Sequence, residues 1–503
     1  MKYLIGIDVG TTGTKALLFT ETGRIVKTAY RGYGIVSDRP DYAEQEPSEW
    51  YRAAADTVRQ CTAVLKDSSQ ITAISVSAQG GTTVAVDKDG IPVRRAVSWL
   101  DRRAKREAEE LCRGKEQNYY YLNTGWRLND GYNLAQIKWM KAHEPDLFEK
   151  TALFLSPLDY LNLRLSGKAV SDFTNEGITN LENLHSRDWD LSIFDDLQLL
   201  RSNLPQLEPA GTVIGKLTKA ASLDLGLTED TMVINGGYDQ YCAALGLGAI
   251  HEGDVMLSTG TAWVLIAVTN RLVFDTDTFS SPCMHIIPDC FGVMASLETG
   301  GVSMDWFKDK VASCKDYKET YETMNTMIEE RGAGADGLLF YPHLAGTTCP
   351  YWSKNSRGAF VGLTLFHDRY HMARAVMEGV VYEICEVLDS YQKQGMKTQT
   401  IKLVGGASKS KVWTQMIADI SGVSVEVYDN ADAAAIGAGI IAAKGAGYYE
   451  NFEQAADAFR QNVVCIEPNQ EVHVLYKKIR QDYHSGFECL KKFYDWRARG
   501  VEA

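Results

Sequence analysis

The stretch "GIDVGTTGTKALLF", Gly6 to Phe19, opens the chain with a short apolar strand that runs into a turn of glycines and threonines. Asp8 precedes this turn and Lys15 follows it. Threonine hydroxyls and the N–H groups of such a turn are donors suited to phosphate oxygens, and a lysine adds a point charge. An aspartate at the strand end can hold Mg²⁺ against the phosphates. The stretch therefore predicts a phosphate loop, and a tight hairpin that closes on itself is the alternative.

The second half of the chain repeats this plan. In "GDVMLSTGTAWVLIAVTN", Gly253 to Asn270, an apolar strand again enters a Thr-Gly-Thr turn and a second apolar strand leaves it. Strands alternate with helical patterns such as "PSEWYRAAADTVRQCTAVL", Pro47 to Leu65, which favours an α/β layered fold. We therefore predict two similar α/β domains facing each other, residues 1–248 and 249–503, each offering one turn to a common ligand.

Composition and charge exclude several classes of protein. A length of 503 residues favours more than one domain, and the net charge of -13 argues against nucleic acid or an anionic membrane as partner. The ten cysteines are spread singly, without a CxxC pair, which is typical of a reducing compartment. The N-terminus does not resemble a secretory signal, and the most apolar stretch, Ala433 to Ala443, is too short to cross a membrane. We expect a soluble, cytoplasmic protein.

Two further glycine pairs resemble nucleotide-binding turns. In "IKLVGGASKSKVWTQMIADISG", a strand runs into Gly405–Gly406, and a helix follows with Ser408 or Ser410 as its N-cap. In "ETGGVSMDWF", Glu298 to Phe307, a Gly-Gly turn also opens a helix. Bare backbone at a helix N-terminus allows close approach of a nucleotide. Four glycine turns of this kind favour ATP as the ligand.

An aspartate in "MVINGGYDQYCAALGLG", Met232 to Gly248, is the candidate for chemistry. This stretch predicts a strand, a Gly-Gly turn, and then an alanine-rich helix that opens with Tyr238, Asp239 and Gln240. Asp239 could cap the helix, which is the structural alternative. It could also act as a general base that takes the proton of a hydroxyl attacking the γ-phosphate. The local pattern leaves both interpretations open.

Together these motifs resemble the FGGY family of carbohydrate kinases, over nearly the whole length of the chain. The most specific part is "GAFVGLTLFHDRYHMARAVME", Gly358 to Glu378, which fits the second signature of the family. The first signature, around "GYNLAQIKWMKAHEP", departs at Asn133 and Gln136, which puts the substrate in doubt rather than the reaction. The resemblance implies two ribonuclease H-like (actin-like ATPase) domains around a central cleft. It also implies ATP-dependent phosphorylation of a sugar hydroxyl, with ATP and Mg²⁺ as cofactors.

The resemblance assigns roles to individual positions. Asp239 resembles the catalytic base of the family, and Asp8 resembles the residue near Mg²⁺. The positions that correspond to nucleotide contacts are Thr11, Thr12 and Lys15 in the first phosphate loop, Gly260 and Thr261 in the second, Gly301 and Asp305 beside the nucleotide, and Gly406 and Ser410 at its adenosine end.

The sugar-contacting loop of the family corresponds to "SVSAQGGTTVAVD". Glycerol kinases have Gln-Arg-Glu-Thr there and D-xylulokinases commonly have Gln-Met-His-Gly, whereas this chain has Gln79, Gly80, Gly81 and a threonine. The loss of both gripping side chains argues against glycerol, although Asp239 followed by Gln240 resembles glycerol kinase. These five numbered residues are the predicted substrate contacts. We predict a ketopentose of the xylulose type, and another polyol or ketose, such as erythritol, ribulose or a heptulose, remains open.

Two rival classes share parts of this pattern. An actin- or chaperone-like ATPase would have the phosphate turns but would not need Asp239 beside a sugar loop. A sugar-responsive binding protein on a catalytically silent scaffold is the other, and the presence of both Asp239 and Lys15 argues against it. The expected partners are therefore a small-molecule sugar and ATP. Dimers are common in the family, so a homodimer is an expectation of the resemblance that the sequence itself does not determine.

Overall fold

The computed structural model describes residues 2–312, 321–428 and 432–501, apart from the side chains at 195, 196, 321, 322, 500 and 501. The chain divides into two compact units. The predicted boundary after residue 248 lies next to Ile250, where the chain first passes from one unit to the other. The first unit contains Met1–Ile250, Ser281–Gly292 and Asp432–Arg460, and the second contains His251–Ser280, Val293–Ala431 and Gln461–Ala503. The domain limits 1–248 and 249–503 stay a prediction.

The first unit is built on a six-stranded sheet whose spatial order is β5-β6-β4-β1-β2-β3. β1 pairs antiparallel with β2 and parallel with β4, and β4 pairs parallel with β6. Its strands are β1 (Tyr3–Val9), β2 (Gly13–Thr20), β3 (Ile25–Gly32), β4 (Ile71–Ala78), β5 (Val213–Lys216) and β6 (Met232–Tyr238). The predicted opening hairpin is therefore confirmed.

The second unit repeats this arrangement. Six of the seven strands of its sheet lie in the order β9-β8-β7-β10-β11-β12, in which β7 pairs antiparallel with β8 and parallel with β10, and β10 pairs parallel with β11. These strands are β7 (Asp254–Thr259), β8 (Trp263–Thr269), β9 (Phe291–Leu297), β10 (Thr400–Gly405), β11 (Ser424–Tyr428) and β12 (Val463–Ile466). The hairpin and the two parallel neighbours that follow it thus have the same pairing in both units. The prediction of two α/β domains built on one plan is confirmed.

Helices and short ladders complete the two units. The helices referred to below are α1 (Pro47–Thr62), α2 (Pro157–Ser166), α3 (Asp239–Gly246), α4 (Gly301–Trp306), α5 (Arg369–Lys393), α6 (Lys411–Ser421), α7 (Ala433–Gly445) and α8 (Gln470–Val501). Other α-helices span Lys105–Cys112, Tyr119–Thr124, Asn133–His143, Pro145–Lys150, Phe173–Glu176, Leu191–Leu197, Lys219–Leu225, Tyr321–Glu329 and Phe452–Ala458. Short strands are Glu44–Gln45, Val84–Val86, Ala96–Val97, Leu153–Leu155, Val170–Ser171, Glu182–Asn183, Asp188–Trp189, Gln206–Leu207, Ser281–Met284, Leu339–Tyr341 and Ala359–Val361.

The core of the first unit lies between its sheet and the helices that cover it. Side chains of β1, β4, α1 and α2 form one buried apolar cluster. On the other side, α7 lies so close to α3 that a Cβ atom on Gly437 would come within 1.9 Å of the Cys242 carbonyl oxygen. A Cβ atom on Gly6 would likewise come within 2.2 Å of the Ala435 carbonyl oxygen. The glycines of β1 and α7 therefore allow the backbone of α7 to touch both the sheet and α3.

The predicted Gly-Gly turn before Asp239 is not a turn. Gly236 and Gly237 are the last part of β6, which continues to Tyr238. A Cβ atom on Gly236 would come within 1.6 Å of the Val76 carbonyl oxygen, and the register with β4 shifts at this point. The glycines are needed because two backbones approach closely inside the sheet, rather than because the chain reverses.

Two further sequence expectations concern the whole chain. Among the described residues, no helix has both the length and the apolar character required to cross a bilayer. The nine described cysteines carry free thiols, and the tenth, Cys314, lies outside the described residues.

Candidate active site

In the first unit, three adjacent strands end side by side and bring the predicted chemistry to one edge of the sheet. In the parallel register, Asp8 of β1 lies opposite Ser77 of β4, and Tyr238 of β6 lies opposite Ala78 of β4. Asp239 follows β6 directly, and Gln79 follows β4. The carboxyl ends of parallel strands are where α/β sheets bind ligands. Asp8, Gln79 and Asp239 are therefore gathered at the end of the sheet that is suited to a ligand.

Asp239 is the first residue of α3 and does not cap it. The N-cap position belongs to Tyr238, and no side chain makes a capping hydrogen bond there, so the capping interpretation is wrong. Asp239 Oδ1 is buried and has no hydrogen-bond partner within the described part of the chain. Burial and the neighbouring charge of Asp8 raise the pKa of Asp239 to about 7, although hydrogen bonds from Gln240 oppose the shift. A carboxyl with this pKa can exchange a proton near neutral pH.

Asp8 is the second acid of the site. Ser77 Oγ donates a hydrogen bond to Asp8 Oδ1 over 2.9 Å. Burial raises the pKa of Asp8 to about 6, whereas Ser77 and the Lys15 ammonium act in the opposite direction. No group of three or more histidine, cysteine or acidic side chains among the described residues could hold a metal by itself. A single carboxylate fits Mg²⁺, because this ion usually keeps several waters and takes substrate phosphates as further ligands.

Lys15 is engaged by an acid that sequence reasoning did not single out. Its Nζ forms an ion pair with Asp432 Oδ1, and both side chains are partly buried. Asp432 directly precedes α7, so the pair joins β2 to the segment that covers the sheet. A phosphate that uses Lys15 must share this ammonium group with Asp432.

The β1–β2 turn has a defined polarity. The Gly10 carbonyl accepts from Tyr33 Oη at 2.7 Å, and the Thr12 carbonyl accepts from the Tyr33 N–H at 3.0 Å. The Thr11 carbonyl between them accepts from Gln45 Nε2 at 2.8 Å. In a trans peptide the carbonyl and the next N–H point in opposite directions. The N–H groups of Thr11 and Thr12 therefore point away from these donors, and they make no hydrogen bond to any described residue. Backbone donors presented together in this way suit an anion.

Three of the predicted sugar contacts have a buried acceptor oxygen without a partner among the described residues. Gln79 Nε2 donates to Gln45 Oε1 over 2.8 Å, while Gln79 Oε1 is buried and has no partner among the described residues. Gln240 Oε1 and Asp239 Oδ1 are also buried and also have no hydrogen-bond partner among the described residues. All three atoms are acceptors, so a ligand that satisfies them must supply hydrogen-bond donors.

The glycines of the predicted sugar loop make room for aromatic rings. Gly81 has a φ of +68°, and a Cβ atom there would lie 3.2 Å from Trp99 Cβ and 3.5 Å from the Tyr132 ring. A Cβ atom on Gly80 would lie 3.0 Å from the ring of Tyr238. Trp99 Nε1 also donates to the hydroxyl of Thr11 over 3.1 Å. This hydrogen bond connects the aromatic residues beside the sugar loop to the phosphate turn. Neither Trp99 nor Tyr132 is among the predicted site residues, although Tyr132 lies in the stretch that corresponds to the first family signature.

In the second unit, the three other predicted loops lie against one another. The β7–β8 turn contains Gly260 and Thr261, both exposed. The Gly301 N–H at the start of α4 donates to the Gly260 carbonyl, and the Val302 N–H donates to the Thr261 carbonyl, each at 3.2 Å. The Gly406 N–H donates to the Thr259 carbonyl over 2.6 Å. The predicted nucleotide residues Gly260, Thr261, Gly301 and Gly406 are thus brought together around the end of β7.

The two remaining predicted positions differ in their surroundings. Asp305 is exposed on α4. Ser410 caps α6, since its hydroxyl accepts from the Trp413 N–H at 3.2 Å, and it also donates to Asn325 Oδ1 at 3.2 Å. Of the two candidate caps, Ser410 is therefore the correct one, and Ser408 bonds instead to the Gly405 carbonyl.

Comparison with known proteins gives one consistent result. Residues 3–246 match the FGGY family of carbohydrate kinases, N-terminal domain, and residues 255–446 match its C-terminal domain. The xylulose kinase of Staphylococcus epidermidis is 30% identical over 495 residues, which cover 97% of this chain and 96% of that protein. The structures of a ligand-bound xylulose kinase and of a gluconate kinase, both from Lactobacillus acidophilus, each superpose with a TM-score of 0.91 at 25% identity, over 98% of this chain and 99% of theirs.

Proposed function

Because the chain belongs to the FGGY family of carbohydrate kinases, we propose that it transfers the γ-phosphate of ATP to a hydroxyl of a neutral ketopentose of the xylulose type. The family and the relatives called xylulose kinase support the reaction class. The observation that carries the substrate class is the set of three buried acceptor oxygens on Gln79, Asp239 and Gln240. A polyhydroxylated sugar supplies the donors that these oxygens require.

Asp239 acts as the general base in this proposal. Its carboxylate accepts the proton of the sugar hydroxyl while that oxygen bonds to the γ-phosphorus. The bond between the γ-phosphorus and the bridging oxygen breaks, and ADP leaves with the electron pair. The pKa of about 7 suits this role, because a useful fraction of Asp239 is ionised at neutral pH and the proton is still bound readily.

Each unit carries its own set of predicted nucleotide residues. In the first unit, the N–H groups of Thr11 and Thr12 bind phosphate oxygens and Lys15 adds its charge, while Asp8 would hold Mg²⁺. Mg²⁺, when bound with ATP, neutralises charge on the β- and γ-phosphates. The nucleotide residues of the second unit are Gly260, Thr261, Gly301, Asp305, Gly406 and Ser410.

A sugar acid is the second candidate substrate, because one structural relative is called a gluconate kinase. A carboxylate substrate needs a cation, and Lys15, the cation predicted for this site, is already paired with Asp432. The carboxyl groups of Asp8 and Asp239 would repel a carboxylate. A neutral substrate therefore fits the electrostatics better.

A coupled assay of ADP release over xylulose, ribulose, erythritol, a heptulose and gluconate tests the proposal. We expect the highest kcat/KM with a ketopentose and a much lower value with gluconate. A preference for gluconate would overturn the substrate class, and equal ATP turnover without any sugar would overturn the kinase function in favour of a simple ATPase. A cytoplasmic location and a homodimer stay predictions.

A further inference from the structure

Gln45 contacts both predicted ligand loops of the first unit. Its Nε2 donates to the Thr11 carbonyl of the phosphate turn, and its Oε1 accepts from Gln79 Nε2 of the sugar loop, each over 2.8 Å. The side chain is buried, with 1% of the Gln45 surface exposed. The amide of Gln45 therefore donates to one loop and accepts from the other. Thr11 and Gln79, the residues it contacts, are 68 positions apart in the sequence.

The strand that carries Gln45 is anchored from its opposite face. Glu44 and Gln45 pair with Val97 and Ala96 in a short antiparallel ladder, and successive side chains of a strand point to opposite sides. Glu44 forms ion pairs with Arg94 and with Arg103, the latter at 2.8 Å. The arginine contacts thus hold the strand on one side, and Gln45 reaches the site on the other.

Backbone chemistry determines how the two amides are oriented. A carbonyl oxygen can only accept, so the Thr11 carbonyl requires the NH₂ group of Gln45. The Oε1 atom of Gln45 then faces Gln79, which must present its own NH₂ group. Gln79 Oε1 is consequently the amide atom that has no hydrogen-bond partner among the described residues.

The same contact determines the polarity of the phosphate turn. While Gln45 binds the Thr11 carbonyl, the adjoining Thr12 N–H points the opposite way. If this peptide group rotated, a carbonyl dipole would face the anion in place of a donor. One side chain thus affects both the sugar loop and the phosphate loop.

We propose that Gln45 is a positioning residue for the phosphoryl transfer. It presents Gln79 Oε1 as an acceptor for a substrate hydroxyl, and it keeps the Thr12 N–H directed toward phosphate. This role rests on the proposed kinase function. Gln45 itself touches neither ligand.

Two substitutions separate the two halves of this role. Gln45→Met preserves length and removes both hydrogen bonds, so we expect the KM for the sugar to rise about tenfold and the KM for ATP to rise severalfold. Gln45→Glu keeps an acceptor for Gln79 but sets a carboxylate against the Thr11 carbonyl. We expect it to leave the KM for the sugar within about threefold of wild type while it raises the KM for ATP or lowers kcat.

Gln415→Met is the matched control in the second unit. Gln415 also donates to a backbone carbonyl, that of Glu467 at 3.0 Å. A merely structural glutamine changes the unfolding temperature without changing either KM, and that is the result expected for this control. If Gln45→Met folds and keeps both KM values within twofold of wild type, the positioning role is wrong. If wild type itself does not phosphorylate any sugar, the proposed function fails instead, so the two failures are distinguishable.

Discussion

The two glycine–threonine turns share one plan of sequence, but different groups hold their carbonyls. In the β1–β2 turn, side chains hold two of the three carbonyls, through Tyr33 Oη and Gln45 Nε2. In the β7–β8 turn, backbone N–H groups of α4 hold the carbonyls of Gly260 and Thr261. A side-chain contact can be tuned by substitution and can reach a second loop. A backbone contact requires only that the two segments come close, which explains the glycine at the start of α4.

Substitution of Asp239 should reduce kcat more than any other change and should leave ATP binding nearly unaffected. Asp239→Asn removes the proposed base but keeps the size of the side chain, so we expect kcat to fall by about 10²- to 10⁴-fold. The dissociation constant for ATP, measured by calorimetry, should stay within a few fold of wild type. Retained kcat would remove Asp239 from the role of base.

The backbone contact between Gly301 and Gly260 in the second turn should be the next most sensitive to substitution. A Cβ atom on Gly301 would lie 2.4 Å from the Gly260 carbonyl oxygen. Overpacking of this kind costs about 1–3 kcal/mol, so Gly301→Val should raise the KM for ATP by about 5- to 150-fold while the KM for the sugar changes little. Gly34→Ala is the control, because no atom of the described residues beyond its two chain neighbours lies within 4 Å of its Cβ position. An unchanged KM for ATP in Gly301→Val would contradict the close approach.

The acid in the first unit also makes the proposed reaction depend on pH. The raised pKa of Asp239, about 7, means that the carboxyl is protonated below pH 7 and cannot accept a proton. We expect kcat/KM for the sugar to fall about tenfold for each unit of pH below 7 and to level off above it. A flat profile between about pH 5.5 and 8 would be inconsistent with Asp239 as the base.

The hydrogen bond from Tyr33 to the first turn should have the smallest effect of the contacts considered. Tyr33→Phe removes the donor to the Gly10 carbonyl, and one hydrogen bond contributes about 1 kcal/mol, so the KM for ATP should rise about fivefold. Tyr30→Phe is the matched control, since the Tyr30 hydroxyl is 3.4 Å from the Thr12 carbonyl and its side chain is exposed. Equal effects of the two substitutions would mean that the Tyr33 hydroxyl does not shape the turn.

Local patterns were sufficient for elements whose cause is local. The β1–β2 hairpin and the Ser410 cap follow from strand periodicity and from helix-capping chemistry within a few residues. The two Gly-Gly pairs of the second half were also located correctly, before a 3₁₀ turn in one case and at the start of α4 in the other.

Features caused by distant neighbours could not be predicted in this way. The glycines before Asp239 read as a turn, because nothing nearby shows that the Val76 backbone approaches Gly236. The partner of Lys15 lies 417 residues away, at Asp432. The polar amide of Gln45 reads as a surface residue until the strand is seen to lie between two loops.

The packing of α7 against β1 and α3 has a consequence for how the protein is made. The segment Asp432–Arg460 belongs to the first unit, although it is among the last parts of this sequence to leave the ribosome. During synthesis, one face of the sheet in the amino-terminal half therefore stays without its covering helix α7 until most of the second unit has been synthesised. A fragment ending at Ile250 would expose that face and aggregate. Adding the two missing segments of the first unit, Ser281–Gly292 and Asp432–Arg460, as separate peptides should rescue it.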